Sequence, residues 1–308
     1  AERKVVLEEI AMRDDDPSDL VHDLYAETYY GDTPLGRPIL GTIDSINSMS
    51  RNAVFNYYKK RYLPQDLVVA VAGNIKHKKV VAMVEAALSK DGFLDVTGAP
   101  VIRPSTPVKK SAQQSVGLIT RPTEQAHMFY GMEGVARHDD RRFAMGILAS
   151  ALGGGMSSRL FQEIREKRGL CYSVSTHQTT LNDGGYLGIS AGLDRRNLEK
   201  SLILILAQFE NLRNKIIGIA ELRRAKEYTI GSSRMALERT SSQNMRLGNS
   251  VLAHGKIVDP ESVNEKIRNV TPDEILSLSK EILDPNRITL AVVGPNPDER
   301  MLKKLLGA

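Results

Sequence analysis

The sequence is short of the residues that cross-link a chain or anchor it in a membrane. Its 308 residues include one cysteine, no tryptophan and only 5% aromatic side chains. The single cysteine, Cys171, excludes an internal disulfide and is typical of a reducing compartment. No apolar run is long enough to cross a bilayer, and no signal peptide is recognisable. With 41% hydrophobic and 26% charged residues, the composition predicts a soluble globular protein, which we place in the cytoplasm.

Several common kinds of functional site are also missing. The six histidines are scattered, and none stands three or four residues from another, so no helix carries a histidine metal pair. Gly153–Gly155 lacks the Lys-Ser/Thr of a phosphate-binding loop, and no Gly-x-Ser-x-Gly motif occurs. The net charge is +5, but basic residues are interleaved with acidic ones and form no aromatic-studded stripe. The sequence therefore disfavours nucleotide binding, serine-triad hydrolysis and nucleic-acid binding.

The N-terminal stretch is predicted to be a helix with two aligned carboxylates. At about 100° per residue, Glu2 and Glu9 lie two turns apart on nearly the same face. Val5, Val6 and Ile10 share or flank that face, so both carboxylates are predicted to point toward an interior. An inward carboxylate needs a partner, a metal ion or a raised pKa. The alternative is that these acids only complement the positive end of the helix dipole.

The mixed order of helices and strands predicts an α+β fold in two domains. Residues 1–98 are assigned to the first domain, 99–112 to a poorly periodic, proline-containing linker, and 113–308 to the second domain. In the second domain, 172–180 and 186–193 are predicted to form a hairpin, because Asn182-Asp-Gly-Gly between them is a strong turn signal.

The ends of the two domains repeat each other. Ser50–Gly73 and Thr271–Gly294 have equal length, and each runs through a hydroxyl cap, a helix, a proline, a strand and a glycine, at an offset of 221. The strand of the first copy, Leu67–Ala72, is predicted to be buried. A gapless repeat indicates duplicated domains, although helix–proline–strand–glycine is common on its own. By this offset roughly 110 residues of the first domain are absent, and such a half-domain is expected to expose strand edges and apolar surface.

A cation and a phenol stand at one predicted helix–strand junction. Arg165 lies near the end of a predicted helix that Gly169 terminates, and Tyr172 starts the next strand. Such a pair could hold a peptide carbonyl or a developing oxyanion. The alternative is an arginine favoured by the helix dipole and a tyrosine favoured in a strand.

Nearly the whole chain resembles the pitrilysin and mitochondrial processing peptidase family of inverted zinc proteases, especially its compact bacterial members. The resemblance rests on Glu2-Arg-Lys-Val-Val-Leu-Glu-Glu-Ile, Pro34-Leu-Gly-Arg-Pro-Ile-Leu-Gly, and Tyr62-Leu-Pro followed by Val68-Val-Ala-Val-Ala-Gly-Asn. Its longest and most specific part is Leu152-Gly-Gly-Gly-Met-Ser-Ser-Arg-Leu-Phe-Gln-Glu-Ile-Arg-Glu-Lys-Arg-Gly-Leu-Cys-Tyr-Ser-Val.

The resemblance implies a role for each candidate residue. In the family, one helix carries His-x-x-Glu-His and a later helix supplies a glutamate as the third zinc ligand; the motif's own glutamate is the base. By this resemblance, Glu9 corresponds to the third zinc ligand. Glu2 corresponds to an additional acidic residue near the metal. Arg165 and Tyr172 correspond to an arginine and a tyrosine that bind the substrate. The implied fold is two related domains of antiparallel sheet plus helices enclosing a chamber, with the first domain incomplete here.

One departure from the family pattern decides what this chain can do alone. No His-x-x-Glu-His occurs in the 308 residues. Two zinc ligands and the base are therefore missing, and the chain alone is expected neither to hold catalytic zinc nor to cleave peptides.

Two functions stay open at this point. One is a zinc metalloendopeptidase that cleaves peptides or unfolded polypeptides, present here as a fragment. The other is a non-catalytic partner subunit that binds peptides for an active family member. Retention of Glu2 and Glu9 favours the first, because such partners usually have a degenerate metal helix. The resemblance also implies zinc in the complete protein, a peptide substrate, a homodimer or a heterodimer with a related subunit, and a bacterial cytoplasmic location.

Overall fold

The computed structural model describes residues 2–98 and 115–307, which form twelve α-helices and five β-strands. The helices are α1 (Glu2–Asp15), α2 (Pro17–Tyr30), α3 (Ile43–Ser48), α4 (Arg51–Arg61), α5 (His77–Leu88), α6 (Arg142–Gly153), α7 (Leu198–Asn214), α8 (Ile219–Ala236), α9 (Thr240–His254), α10 (Pro260–Asn269), α11 (Pro272–Ile282) and α12 (Glu299–Leu306). The strands are β1 (Ser115–Thr120), β2 (Ala126–Glu133), β3 (Cys171–Thr180), β4 (Gly185–Leu193) and β5 (Ile288–Gly294).

The five strands form one mixed sheet in the order β1-β5-β2-β4-β3. β1 runs parallel to β5, and the other neighbours are antiparallel. Every residue of β5 is buried, as expected for a central strand. β3 and β4 are the predicted hairpin, and the α+β fold is confirmed.

Helices cover both faces of this sheet, and alternating side chains on β2 show which helix lies where. Phe129 contacts Tyr25 of α2, and the centroids of the two rings are 4.5 Å apart. The next residue, Tyr130, points to the other face and lies 5.6 Å from the Phe209 ring of α7. Because successive side chains on a strand alternate between faces, α2 and α7 lie on opposite sides of the sheet.

The residues of α2 explain why it docks on the sheet. Asp16 caps the helix by accepting a hydrogen bond from the Ser18 backbone N–H at 2.8 Å, and Pro17 occupies the first turn. Tyr25 and Tyr29 are each 2% exposed and stack with centroids 5.5 Å apart. α1 packs against α2, so this aromatic cluster supports both N-terminal helices.

The two copies of the repeat have the same helix and the same 3₁₀ turn, but only the second copy has the strand. The helices α4 and α11 and the 3₁₀ turns Pro64–Asp66 and Pro285–Arg287 match at the single offset of 221. The first copy then differs, because Leu67–Ala72 belongs to no strand and Leu67 is 44% exposed. The prediction of a buried strand at Leu67–Ala72 is therefore wrong. Its counterpart β5 is buried by pairing with β1 and β2, whereas Leu67–Ala72 has no strand partner among the described residues.

The described residues group into two compact units. One contains residues 2–46, 115–229 and 266–307 and includes the sheet; the other contains residues 47–98 and 230–265. The predicted linker, 99–112, lies outside the described residues, so the predicted domain boundaries stay predictions. No helix within 2–98 and 115–307 combines the length and apolarity needed to span a bilayer.

Candidate functional site

The two aligned glutamates lie on the surface of α1. Ile10 is the residue of α1 that is buried, and both Glu2 and Glu9 are exposed. The prediction that these carboxylates point toward an interior is therefore wrong in this structure. At about 100° per residue, Glu2 and Glu9 stand roughly 80° and 100° around the helix from Ile10, beside the buried stripe and not on it. Val5 and Met12 lie farther round on the same side and are 46% and 72% exposed.

The described residues do not fit a zinc ion. Zinc in proteins takes three or four nitrogen, sulfur or oxygen ligands. Within 2–98 and 115–307, no group of three or more histidine, cysteine, aspartate or glutamate side chains could hold a metal ion. Glu9 therefore has no companion ligands in this part of the chain, and we derive no chemical step through a metal.

Arg165 lies on an irregular helix and contacts two aromatic rings. Residues Phe161–Glu166 form a π-helical segment, a rare conformation that occurs frequently at functional sites. The Cζ atom of Arg165 stands 4.8 Å from the Phe161 ring centroid and 5.5 Å from the Tyr172 ring centroid. Both distances are within the range of a cation–π interaction. The structure thus brings together Arg165 and Tyr172, which the sequence had singled out.

A second irregularity places Tyr172. In the β3–β4 pairing, Cys171 is opposite Leu193 and Ser173 is opposite Gly192, so Tyr172 is the extra residue of a β-bulge. Bulges re-aim side chains and are common beside active sites. Tyr172 is 76% exposed beside the Arg165 guanidinium.

Partly buried polar contacts fix the chain just before Arg165. Arg159 donates two hydrogen bonds to the Glu221 carboxylate of α8, at 2.6 and 2.9 Å, and one to Asn211 of α7 at 2.8 Å. The side chains of Arg159 and Glu221 are only 17% and 23% exposed. Gly169 adopts a positive φ of 59° where the segment turns into β3, a conformation that favours glycine.

Two residues of this site, Phe161 and Glu221, were not predicted from the sequence. Phe161 stands four positions before Arg165, which is the spacing that places two side chains on one helical face. That spacing could have identified Phe161 in advance. Glu221 is 62 residues from Arg159, and nothing in the sequence pairs them.

Two ionisable side chains of β3, those of Cys171 and His177, have pKa values that burial shifts. Cys171 is buried at the start of β3, and burial raises the pKa of its thiol, which disfavours the reactive thiolate. On β3 and β4, the Nε2 atom of His177 lies 3.0 Å from the hydroxyls of both Ser175 and Ser190. Partial burial lowers the pKa of His177.

Solved structures share this fold over nearly the whole chain. A protease from Helicobacter pylori is 20% identical, with a TM-score of 0.83 over 96% of this chain and 71% of that chain. A peptidase M16 inactive domain from Pseudomonas fluorescens is 23% identical, with a TM-score of 0.81 over 96% of this chain and 69% of that one. These structures therefore share the α+β fold of this chain.

The sequence comparisons give the family. Residues 48–228 match the model described as the peptidase M16 inactive domain. A Streptomyces coelicolor protein named an uncharacterized zinc protease is 42% identical over 300 residues, and a Bacillus subtilis protein with the same description is 32% identical over 295 residues. The chain belongs to the peptidase M16 family. The matches include 97% and 96% of this chain, respectively. They include only 65% of the Streptomyces coelicolor protein and 70% of the Bacillus subtilis protein, so the chain spans about two thirds of each relative.

Proposed function

We propose that this chain is the peptide-holding part of a zinc metalloendopeptidase that cleaves peptides or unfolded polypeptides. In this proposal the complete protein carries the zinc, and Glu9 is one of its ligands with Glu2 close by. The other ligands and the catalytic base come from residues outside these 308. The names of the relatives support the reaction class, and the resemblance of Glu2–Ile10 to the family's ligand helix supports the assignment of Glu9.

One observation supports the peptide-holding role most directly: the guanidinium of Arg165 lies within cation–π range of the rings of both Phe161 and Tyr172. A guanidinium carries five N–H donors, and a contact with a ring uses none of them as a conventional hydrogen bond. No described residue accepts a side-chain hydrogen bond from Arg165, and Tyr172 is exposed. The pair therefore offers oriented N–H and O–H donors to a peptide carbonyl or to the negative charge that develops during hydrolysis.

A second candidate function is a non-catalytic subunit that binds peptides for an active relative, as a heterodimer or homodimer. The match to a domain described as inactive and the lack of a metal-holding group in the described residues favour it. Both functions use Arg165 and Tyr172 in the same way, so peptide binding tests what they share.

The binding test uses the 308-residue chain and a fluorescein-labelled unfolded peptide, measured by fluorescence anisotropy. Tyr172→Phe and Arg165→Lys each remove a hydrogen bond worth about 1 kcal/mol, so each should weaken binding about fivefold. Tyr57→Phe and Arg61→Lys are matched controls, because Arg61 lies 5.8 Å from the ring of Tyr57 in a similar surface pair. Equal affinity in all four variants and the unchanged chain would contradict the proposed role.

The choice between the two functions needs the protein from its native cells. Glu9→Gln should lower both the bound zinc, measured by atomic absorption, and chelator-sensitive peptide hydrolysis. Unchanged zinc and hydrolysis would refute the ligand assignment. An intact mass of 34.0 kDa, with no bound zinc and no hydrolysis, would select the partner function.

A further inference from the structure

The glycines at 153–155 let the loop that follows them, residues 155–158, lie close to helix α8. A Cβ atom built on Gly155 would stand 3.2 Å from the ring of Tyr228 and 3.5 Å from its hydroxyl. A Cβ atom on Gly154 would stand only 2.7 Å from the Cα atom of Ser150 in α6. Side chains at these positions would therefore push the loop away from both helices.

A small notch lies between this loop and α8. Its volume is about 20 Å³, which is room for one water-sized atom, and its polar lining comprises Ser150, Ser157, Ser158, Glu221, Arg224 and Tyr228. Ser158 is 4% exposed, and its hydroxyl is buried without a hydrogen-bond partner among the described residues. Because burying an unpartnered hydroxyl is unfavourable, an acceptor atom that entered the notch would be stabilised there.

The notch carries one unmatched positive charge. Arg224 is exposed at its rim and forms no ion pair or hydrogen bond with any residue of 2–98 and 115–307. Glu221 is the carboxylate that lines the notch, but its two oxygens accept hydrogen bonds from Arg159, at 2.6 and 2.9 Å. Since Arg159 matches the charge of Glu221, the guanidinium of Arg224 makes the notch electropositive.

Further hydrogen-bond donors surround the same notch. Ser157 and Tyr228 line it, and each carries a hydroxyl. The backbone N–H groups of Gly155, Met156 and Ser157 donate no hydrogen bond to a residue in the described parts of the chain. Successive backbone N–H groups in a turn form concavities that bind anions. The notch therefore combines a positive charge, hydroxyls and free N–H donors, which together favour an anion.

We propose that this notch binds a phosphate group, either as inorganic phosphate or as a phosphate monoester. One phosphate oxygen enters the notch and accepts a hydrogen bond from the Ser158 hydroxyl. The oxygens that stay outside accept from Arg224 and from the N–H groups of the loop. A tetrahedral dianion suits this arrangement, because it offers several acceptor oxygens to donors that converge from the loop and from α8. The ester substituent would point toward solvent, since Ser157 and Arg224 are exposed.

This inference explains a motif that the sequence analysis set aside. Gly153–Gly155 lacks the lysine of a phosphate-binding loop, and in the structure the cation beside the loop comes from a later helix, as Arg224. The inference is independent of the proposed function, because it uses neither a metal ion nor Arg165 and Tyr172.

The test is isothermal titration calorimetry of the 308-residue chain with potassium phosphate, at an ionic strength held constant with potassium chloride. We expect saturable binding, and Arg224→Gln should weaken it about tenfold through the loss of a charged hydrogen bond. Arg223→Gln is the matched control, because it removes the same charge from the neighbouring position. Arg223 is 73% exposed and stands 3.9 Å from Glu227, so its variant should keep the Kd within about twofold.

A second variant separates a ligand-binding hydroxyl from a structural one. Ser158→Ala should weaken phosphate binding about fivefold, because it removes one hydrogen bond to the ligand. In phosphate-free buffer its urea midpoint should equal or exceed that of the unchanged chain, because the lost hydroxyl has no partner among the described residues. Unchanged phosphate affinity in Ser158→Ala would overturn the inference.

Titration with O-phosphoserine identifies the form of the ligand. Binding of O-phosphoserine at least as tight as that of inorganic phosphate would support the site and assign it to a monoester. Binding of inorganic phosphate alone would support the site and assign it to the free ion. No saturable binding of either compound, or equal losses in Arg223→Gln and Arg224→Gln, would overturn the inference and leave the proposed peptide binding untouched.

Discussion

The docking of α2 on the sheet can be tested by one added methyl group, at Gly131 of β2. A Cβ atom built on Gly131 would overlap the ring and hydroxyl of Tyr25. Gly131 sits between Gly188 of β4 and Thr289 of β5, so hydrogen-bonded strands on both sides hold its backbone. Gly131→Ala therefore forces two well-fixed groups into the same space.

The cost follows from how little either group can move. The Tyr25 ring is 2% exposed and lies within 4.5 Å of Phe129, 5.3 Å of Tyr186 and 5.5 Å of Tyr29, measured between ring centroids. Overpacking a core costs about 1–3 kcal/mol, and less when a flexible side chain can give way. Because this ring is held on several sides, we expect the upper end, about 3 kcal/mol.

Urea unfolding measures this cost, followed by far-UV circular dichroism and by the fluorescence of the ten tyrosines, since the chain has no tryptophan. With a slope of about 3 kcal/mol/M for urea, the midpoint should fall by about 1 M. Gly218→Ala is the matched control, because nothing lies within 4 Å of a Cβ at Gly218 in the same unit. A Gly131→Ala midpoint equal to that of Gly218→Ala would refute the packing of Tyr25 against β2.

Three further predictions concern buried polar groups. Tyr25→Phe should stabilise the chain by about 1 kcal/mol in urea unfolding, because the Tyr25 hydroxyl is buried without a hydrogen-bond partner among the described residues; a loss of stability would reveal a partner. Glu221→Gln should lower the free energy of unfolding by about 2 kcal/mol, because it breaks the partly buried pair with Arg159. Glu299→Gln, in an exposed pair with Lys303, should lower it by under about 0.5 kcal/mol. Equal urea midpoints of the two variants would contradict this difference. Burial holds the folded-state pKa of His22, His127 and His177 below the ordinary histidine value of about 6.5, so the unfolded chain binds more protons as the pH falls. Stability should therefore be complete above about pH 6.5 and decline below it; a urea midpoint that is constant between about pH 7 and pH 5 would contradict this.

Much of the fold could be predicted because local signals and tertiary packing agree. Ser50 accepts a hydrogen bond from the Ala53 N–H at 3.2 Å, which is the cap predicted for α4. Thr271 and Glu274 form a capping box at the start of α11. The turn at 182–185 places β3 beside β4 as expected. Each of these signals lies within a few residues of the element that it defines.

Leu67–Ala72 shows where the same reasoning fails. Its run of apolar residues is that of a buried strand, but a strand is stabilised by its neighbours, and its own sequence does not supply them. In the second copy of the repeat, β1 and β2 supply the hydrogen bonds and the cover for β5. The apolar pattern of a segment indicates that it could be a buried strand, but only the structure shows whether neighbouring strands pair with it.

The candidate site was predicted in part. Arg165 and Tyr172 could be singled out because they flank a helix end and a strand start. The bulge at Tyr172 depends on pairing with Gly192 and Leu193, about twenty residues further along the chain. The segment that carries Arg165 follows Arg159, whose partner Glu221 is 62 residues away. The orientation of Glu9 was mispredicted because helical periodicity fixes angles between residues but not which face finds a partner.

The exposed stretch after Pro64 has a consequence for how long this chain lasts in a cell. Leu67, Val69, Val71 and Ile75 are each 43–51% exposed within a segment that belongs to no helix or strand. Chaperones and proteases of the quality-control system act on exposed apolar segments of this kind in incompletely folded proteins. Cellular turnover should therefore be fast whenever this stretch is uncovered, and the half-life of the protein would report how often it is covered.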